Sequence, residues 1–161
     1  MNYVKDFFAS SGQGGKFNLG DSLYSSTKAF RFSFQATDGN LVLSVLNDDS
    51  NGQYTPIWQA GLSNPQGLSP QELSPSLQPY CVMQQDGNFV YYTVTFKPPN
   101  TPTGIVSPWS TRTNGNGSAF LRCQDDGNLV IISSNPANLN KTIWATNTFA
   151  GTANRPQAGR V

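Results

Sequence analysis

Five residues at alternate positions, Gln84, Asp86, Asn88, Val90 and Tyr92, place a carboxylate, two amides and a phenol around one short apolar side chain. Such a row offers both donors and acceptors at fixed points. It suits a sugar, whose hydroxyls each donate and accept while its C–H surface wants apolar contact. An ionised Asp86 can accept from two neighbouring hydroxyls, and hydrogen bonds to a charged group are the stronger kind. Val90 is short and stiff at χ1, so it can pack against a ring without blocking it.

The row lies within "QQDGNFVYY" (84–92), and two relatives of that stretch occur, "ATDGNLVLS" (36–44) and "QDDGNLVII" (124–132). The Asp-Gly-Asn cores stand 48 and 40 residues apart, and each is followed by a tryptophan, Trp58, Trp109 or Trp144. Further candidate binding residues are therefore Gln124, Asp126, Asn128 and Val130, with Asp38, Asn40 and Val42 as a weaker set. Repeats of this length mark one supersecondary unit per copy, and such units must join to bury a shared core.

The elements that position these residues read as short strands split by turn signals such as "NDDSNGQ", "TNGNGS" and "SSNPANLN". Asp-Gly between apolar residues is ordinarily a hairpin signal. Here the alternation continues on both sides of it, which favours a strand running through each Asp-Gly. Leu41 and Leu43, Phe89 and Tyr91, and Leu129 and Ile131 then point inward. Gly39, Gly87 and Gly127 share that parity, as at a close approach of another backbone or at a bulge. The fold class expected is all-β, with three units about a pseudo-threefold axis and the three tryptophans filling the centre. A single domain spans 1–161, with repeats at about 17–60, 81–112 and 118–148. The Pro-rich stretches 61–80 and 97–108 read as inserted surface loops, and 149–161 as a polar tail.

Composition narrows the function. Charged residues make up 12% of the 161 and the net charge is +1, with no basic cluster, so neither nucleic acid nor membrane insertion is expected as a partner. The start "MNYVKDFFASSGQGGKF" lacks the apolar stretch of a signal peptide. A cytoplasmic protein, one released without a leader and a mature secreted form all fit. The chain has no histidine, which removes Ser-His-Asp, Cys-His and zinc-histidine chemistry together. The adjacent Asp125 and Asp126 would point to opposite faces of a strand and cannot serve as a glycosidase pair. "NDDSNG" (47–52) opens like a calcium loop, but Trp58 occupies the position of the bidentate Glu. No catalytic residue, metal or cofactor is expected. Cys81 and Cys123 have no metal spacing; buried thiols and a disulfide between them both fit. Asn116 and Asn140 match the glycosylation sequon and read as turn residues.

Taken with the tryptophan segments, Q-x-D-x-N-x-V-x-Y resembles the motif of the bulb-type mannose-binding lectins, and "LGDSLYSS" (19–26) is similar to the segment before their first motif. The resemblance implies a β-prism II of three four-stranded antiparallel sheets that binds α-mannose or mannose-containing glycans without metal. It also implies roles. Asp86 and Asn88 would hold the axial 2-hydroxyl, Gln84 the 3-hydroxyl and Tyr92 the 4-hydroxyl, with Val90 against the ring carbons. The copies are unequal, because Ile132 stands for the tyrosine in the third, and Ala36 and Ser44 replace Gln and Tyr in the first. The second repeat is thus expected to dominate, and a tyrosine at 132 to restore a lost hydroxyl partner. The family disulfide is not expected, because the two cysteines lie in different repeats. A homodimer that exchanges C-terminal strands after Trp144 is also implied. A lectin-like bacteriocin or toxin module is the alternative on the same fold, and a prism kept only as a scaffold is a third reading.

Overall fold

Strands β1 (Asn2–Val4), β2 (Asp6–Phe8) and β3 (Lys16–Asn18) each join a different sheet, so the N-terminal segment stitches the protein together. This is seen in a computed structural model that describes residues 1–47, 52–63, 69–99 and 101–149. The first sheet is β1-β4-β5-β6-β7, with β4 (Ser22–Tyr24), β5 (Phe30–Phe34), β6 (Leu41–Leu46) and β7 (Tyr54–Gln59). The second is β10-β9-β8-β3, with β8 (Tyr80–Met83), β9 (Phe89–Lys97) and β10 (Thr101–Ser110). The third is β13-β12-β11-β2, with β11 (Ala119–Cys123), β12 (Leu129–Ser133) and β13 (Thr142–Ala145). This is the β-prism expected from the sequence. It differs in its first sheet, where β1 adds a fifth strand parallel to β4. The second and third repeats supply only three strands each and take the fourth from the N-terminal segment.

The inward residues alternate along these strands. Phe32, Leu41, Leu43, Phe89, Tyr91, Leu121, Leu129 and Ile131 all lie in one buried cluster with Phe7 and Phe17. Phe17 stacks on Phe32 with ring centroids 5.5 Å apart. At the axis the three tryptophans meet, each pair 6.1 Å apart and tilted between 60° and 83°. Trp58 is fully buried there, while Trp109 and Trp144 are half-buried. Edge-to-face contact is the favoured geometry for such rings. Cys81 and Cys123 are free thiols inside this core. Burial pushes both up, Cys123 to about 12, so they behave as small hydrophobes.

Two expectations fail. Residues 97–108 are not a loop: Thr101–Ser110 is a strand that pairs antiparallel with β9, with Ile105 opposite Val94. The Thr and Val content of "TPTGIVSPWS" supports a strand, and its prolines are tolerated because β10 is an edge strand. Nor does any strand run through Asp-Gly. Each copy is a tight turn between antiparallel neighbours, β5–β6, β8–β9 and β11–β12. The alternation was deceptive for a simple reason. Met83 pairs with Phe89 and Cys123 with Leu129, six positions on. Cross-strand partners share a face, and an even separation preserves parity on paper while the chain reverses. The 61–80 stretch holds two single 3-10 turns, Pro70–Glu72 and Pro75–Leu77. The tail beyond 149 and the centre of "NDDSNG" lie outside the described residues.

Candidate functional site

The turn of the second repeat is built by its own side chains. Asp86 Oδ1 accepts the Asn88 N–H at 3.0 Å, an Asx turn. Gly87 takes φ +91°, and its N–H donates to the Gln84 carbonyl at 3.1 Å. A methyl group at Gly87 would lie 2.9 Å from the Gly117 carbonyl oxygen, so the close backbone approach read from the sequence is real although the setting is a turn. The third repeat copies these features through Asp126, Asn128 and Gly127.

Residues that the sequence did not single out then fix the asparagine. Asn88 Oδ1 accepts from Thr111 Oγ1 and from the Thr113 N–H, both at 3.1 Å. Thr113 Oγ1 in turn donates to the Gly87 carbonyl at 2.6 Å. In the third repeat Thr146 and Thr148 do the same for Asn128 and Gly127. The segments are "WSTRT" and "WATNT", so a Thr-x-Thr two residues after the tryptophan was the available signal. With its oxygen held, Asn88 keeps its Nδ2 donor without a partner among the described residues.

The strand side of the second site carries Val90 and Tyr92 on β9. Tyr92 is half-buried and stacks on Tyr80 at 5.4 Å. Gln84 Nε2 donates to the Tyr92 hydroxyl. Gln84 and Asn88 are half-buried and Asp86 is exposed, so the polar groups reach solvent. Val90 is only 4% exposed, which makes it the floor of the site and not a projecting patch. The row expected along one strand is thus split, with Gln84, Asp86 and Asn88 on the turn and Val90 and Tyr92 on the strand leaving it.

The third repeat brings Gln124, Asp126 and Asn128 together in the same way, but its strand side is filled. Phe120, Val130 and Ile132 form a separate buried cluster with Ala145 against them, and Phe8 lies 4.9 Å from Phe120. Phe120 pairs with Ile132 where Tyr80 pairs with Tyr92. The expectation that a tyrosine at 132 restores the site needs room that this cluster occupies. Asp125, exposed on the same turn, accepts from Ser26 Oγ and from Thr27 N and Oγ1 at 3.0 Å. Those bonds lower its carboxyl to about 2.

The first repeat requires a correction. Phe34 pairs with Leu41, seven positions on, so its turn carries one extra residue. Gln35, not Ala36, takes the place of Gln84: its N–H donates to the Asn40 carbonyl and its carbonyl accepts from Gly39, as Gln84 does with Asn88 and Gly87. The Gln35 amide, oriented by its surroundings, donates to the Asp38 carboxylate at 3.0 Å. Asp38 Oδ1 accepts the Asn40 N–H at 2.9 Å. Ala60 and Leu62 stand where the threonines would be, and Asn40 is buried. Its Nδ2 donates to Gln59 Oε1 at 2.7 Å, so this amide is not presented outward. Val42 and Ser44 are both buried. Among the described residues no group of three His, Cys, Asp or Glu side chains could hold a metal ion. No helix among the described residues is long and apolar enough to cross a membrane.

Neither a family model nor a curated protein matches the sequence. Solved structures do. A lectin from Marasmius oreades is 25% identical, with 94% of this chain and 98% of that one covered at a TM-score of 0.57. Monomeric monocot mannose-binding lectins from Gastrodia elata give 25% identity, 90% and 98% coverage and the same TM-score. The Polygonatum cyrtonema lectin, solved with a monomannoside, has 22% identity, 90% and 97% coverage and a TM-score of 0.50, a likeness of fold alone.

Proposed function

We propose that this chain, which has the fold of the bulb-type mannose-binding lectins, is itself a mannose-binding lectin whose main site is the turn and strand of the second repeat. The observation that carries the reading is the contrast among three copies of one turn. In the second, the Asn88 oxygen is committed to Thr111 and Thr113 and its amide is not, Asp86 engages only Oδ1 among the described residues, and Tyr92 stands beside Gln84. In the third, hydrocarbon fills the strand side; in the first, Gln59 takes the asparagine amide.

The chemistry follows from these groups. Asp86 accepts from two adjacent hydroxyls, Asn88 Nδ2 donates to one of them, and Gln84 and Tyr92 serve the hydroxyls further round the ring. Val90 forms the apolar floor. Metal is not required, because side chains supply every donor and acceptor, and no catalytic role is assigned. A shallow site of this kind binds free sugar at about millimolar strength, roughly −4 kcal/mol. Calorimetry with methyl α-mannoside should give one site per chain, unchanged by exhaustive chelation with EDTA. Two or three equivalent sites, or binding that needs added calcium, would defeat the reading.

Useful avidity calls for several copies on one surface, and a homodimer is part of the proposal. Thr142–Ala145 already pairs with β12 of its own chain, so exchange of that strand would require it to leave its sheet. In an exchanged dimer Thr142–Ala145 would make the same pairing with β12 of the partner. Light scattering at micromolar concentration should return the mass of two chains; the mass of one would remove this part.

A further inference from the structure

The three sheets differ at the residue opposite the end of the motif. Tyr80 faces Tyr92 and Phe120 faces Ile132, but Arg31 faces Ser44. The small serine leaves out the ring that stands at this position in the second sheet. The Arg31 guanidinium lies 4.2 Å over the ring of Tyr54. That ring is held in place, since the Tyr54 hydroxyl donates to the Lys28 carbonyl at 2.8 Å and Tyr24 meets it edge-on at 6.3 Å. Arg31 is therefore positioned before any ligand arrives.

Arg31 is also short of partners. Its Nε is buried with no hydrogen-bond acceptor, and no carboxylate among the described residues pairs with it. The third sheet supplies the comparison. Arg122 lies 5.1 Å from the Phe120 ring, but Asp6 satisfies it through two bonds of 2.6 and 3.0 Å. A desolvated donor without an acceptor is costly. A fixed guanidinium on a sugar-binding face is suited to a planar or multi-oxygen anion, which it can engage with two parallel bonds.

We propose that the face of the first repeat binds an anionic sugar, one that carries a carboxylate or a sulfate, with Arg31 holding the anion. Asp38, on the turn at the other end of the same face, has both oxygens taken by Gln35 and Asn40; its charge repels the acid group, which fixes the sugar's direction. The inference rests on the reading of the chain as a lectin, but it assigns a second site of a different ligand class.

The test compares methyl α-mannoside, mannuronic acid and mannose 6-sulfate by calorimetry at low salt, on protein whose second site is silenced by Asp86→Ala. At least one acidic sugar should bind that protein measurably, at about a tenth of the concentration at which methyl α-mannoside still gives no heat, since a charge-assisted pair is added. Arg31→Gln should remove the advantage and Arg31→Lys keep part of it, with thermal midpoints measured for each. Binding of only the carboxylate or only the sulfate identifies the source of the anion. The proposal fails if neither acidic sugar outbinds the neutral one, or if Arg31→Gln leaves the advantage intact. If Arg31→Gln does not fold, a full advantage in Arg31→Lys at high salt counts against it, because an ion pair is screened there. Loss of neutral-sugar binding in the unsubstituted protein would overturn the second-repeat site instead, so the two failures are told apart.

Discussion

Asp86→Ala should abolish measurable mannoside binding, and Asp86→Asn should weaken it by about tenfold. The two substitutions separate two jobs of one carboxylate. Asparagine still offers an oxygen to the Asn88 N–H, so the Asx turn that Asp86 Oδ1 now closes at 3.0 Å survives. What it loses is charge. A hydrogen bond to a charged group contributes about 1.5–3 kcal/mol and a neutral one about 0.5–1.5, and the difference of about 1.4 kcal/mol is tenfold. Alanine removes the sugar's acceptor and the turn's acceptor together, and an interaction of millimolar strength cannot survive both. Calorimetry checks the affinities, and the thermal midpoint of Asp86→Asn should stay with the parent. Undiminished mannan binding by Asp86→Ala would place the site elsewhere.

Trp58→Ala should be the most destabilising of the three tryptophan truncations. Trp58 is fully buried and touches both of its counterparts across the axis, whereas Trp109 and Trp144 keep part of their surface in solvent. Removing a buried tryptophan costs about 3–5 kcal/mol, against a total stability of about 5–15 kcal/mol for a domain. One term opposes this. The Trp58 indole N–H is buried without a partner, and its removal returns part of that penalty, about 1–3 kcal/mol. The net loss expected is about 2–3 kcal/mol, read as a lower urea midpoint at constant slope. A loss no greater than that of Trp109→Ala would mean that the fuller burial of Trp58 does not give it the larger share of the axis packing.

The motif residues were legible in the sequence because a threefold repeat of Asp-Gly-Asn with a trailing tryptophan has few explanations. The inward set was legible as well, since Phe89, Tyr91, Leu129 and Ile131 alternate regardless of what precedes them. The turn was not, because partners six positions apart keep the strand parity through a reversal of the chain. The first repeat held the clue. Phe30, Phe32 and Phe34 alternate on one parity and Leu41, Leu43 and Val45 on the other, and a strand passing straight through could not bury both. That break marks the inserted residue and returns Gln35 to the site in place of Ala36. Thr111, Thr113, Thr146 and Thr148 were missed because their partner asparagines lie about twenty residues back and only the fold brings them together. β1, β2 and β3 are three residues each, too short to show a period. The plug on the third site was hidden for a related reason, since Phe8 reaches Phe120 through β2.

A titration of isotope-labelled protein with methyl α-mannoside, followed by amide NMR, tests the central claim most directly. The second-repeat reading predicts saturable shifts at the backbone amides of residues 84–88 and 92 and at the side-chain amides of Gln84 and Asn88. Residues 35–40 and 124–128 should remain where they are at concentrations that saturate the second repeat. Shifts centred on 124–132 or 35–44, with 84–92 unmoved, would contradict it.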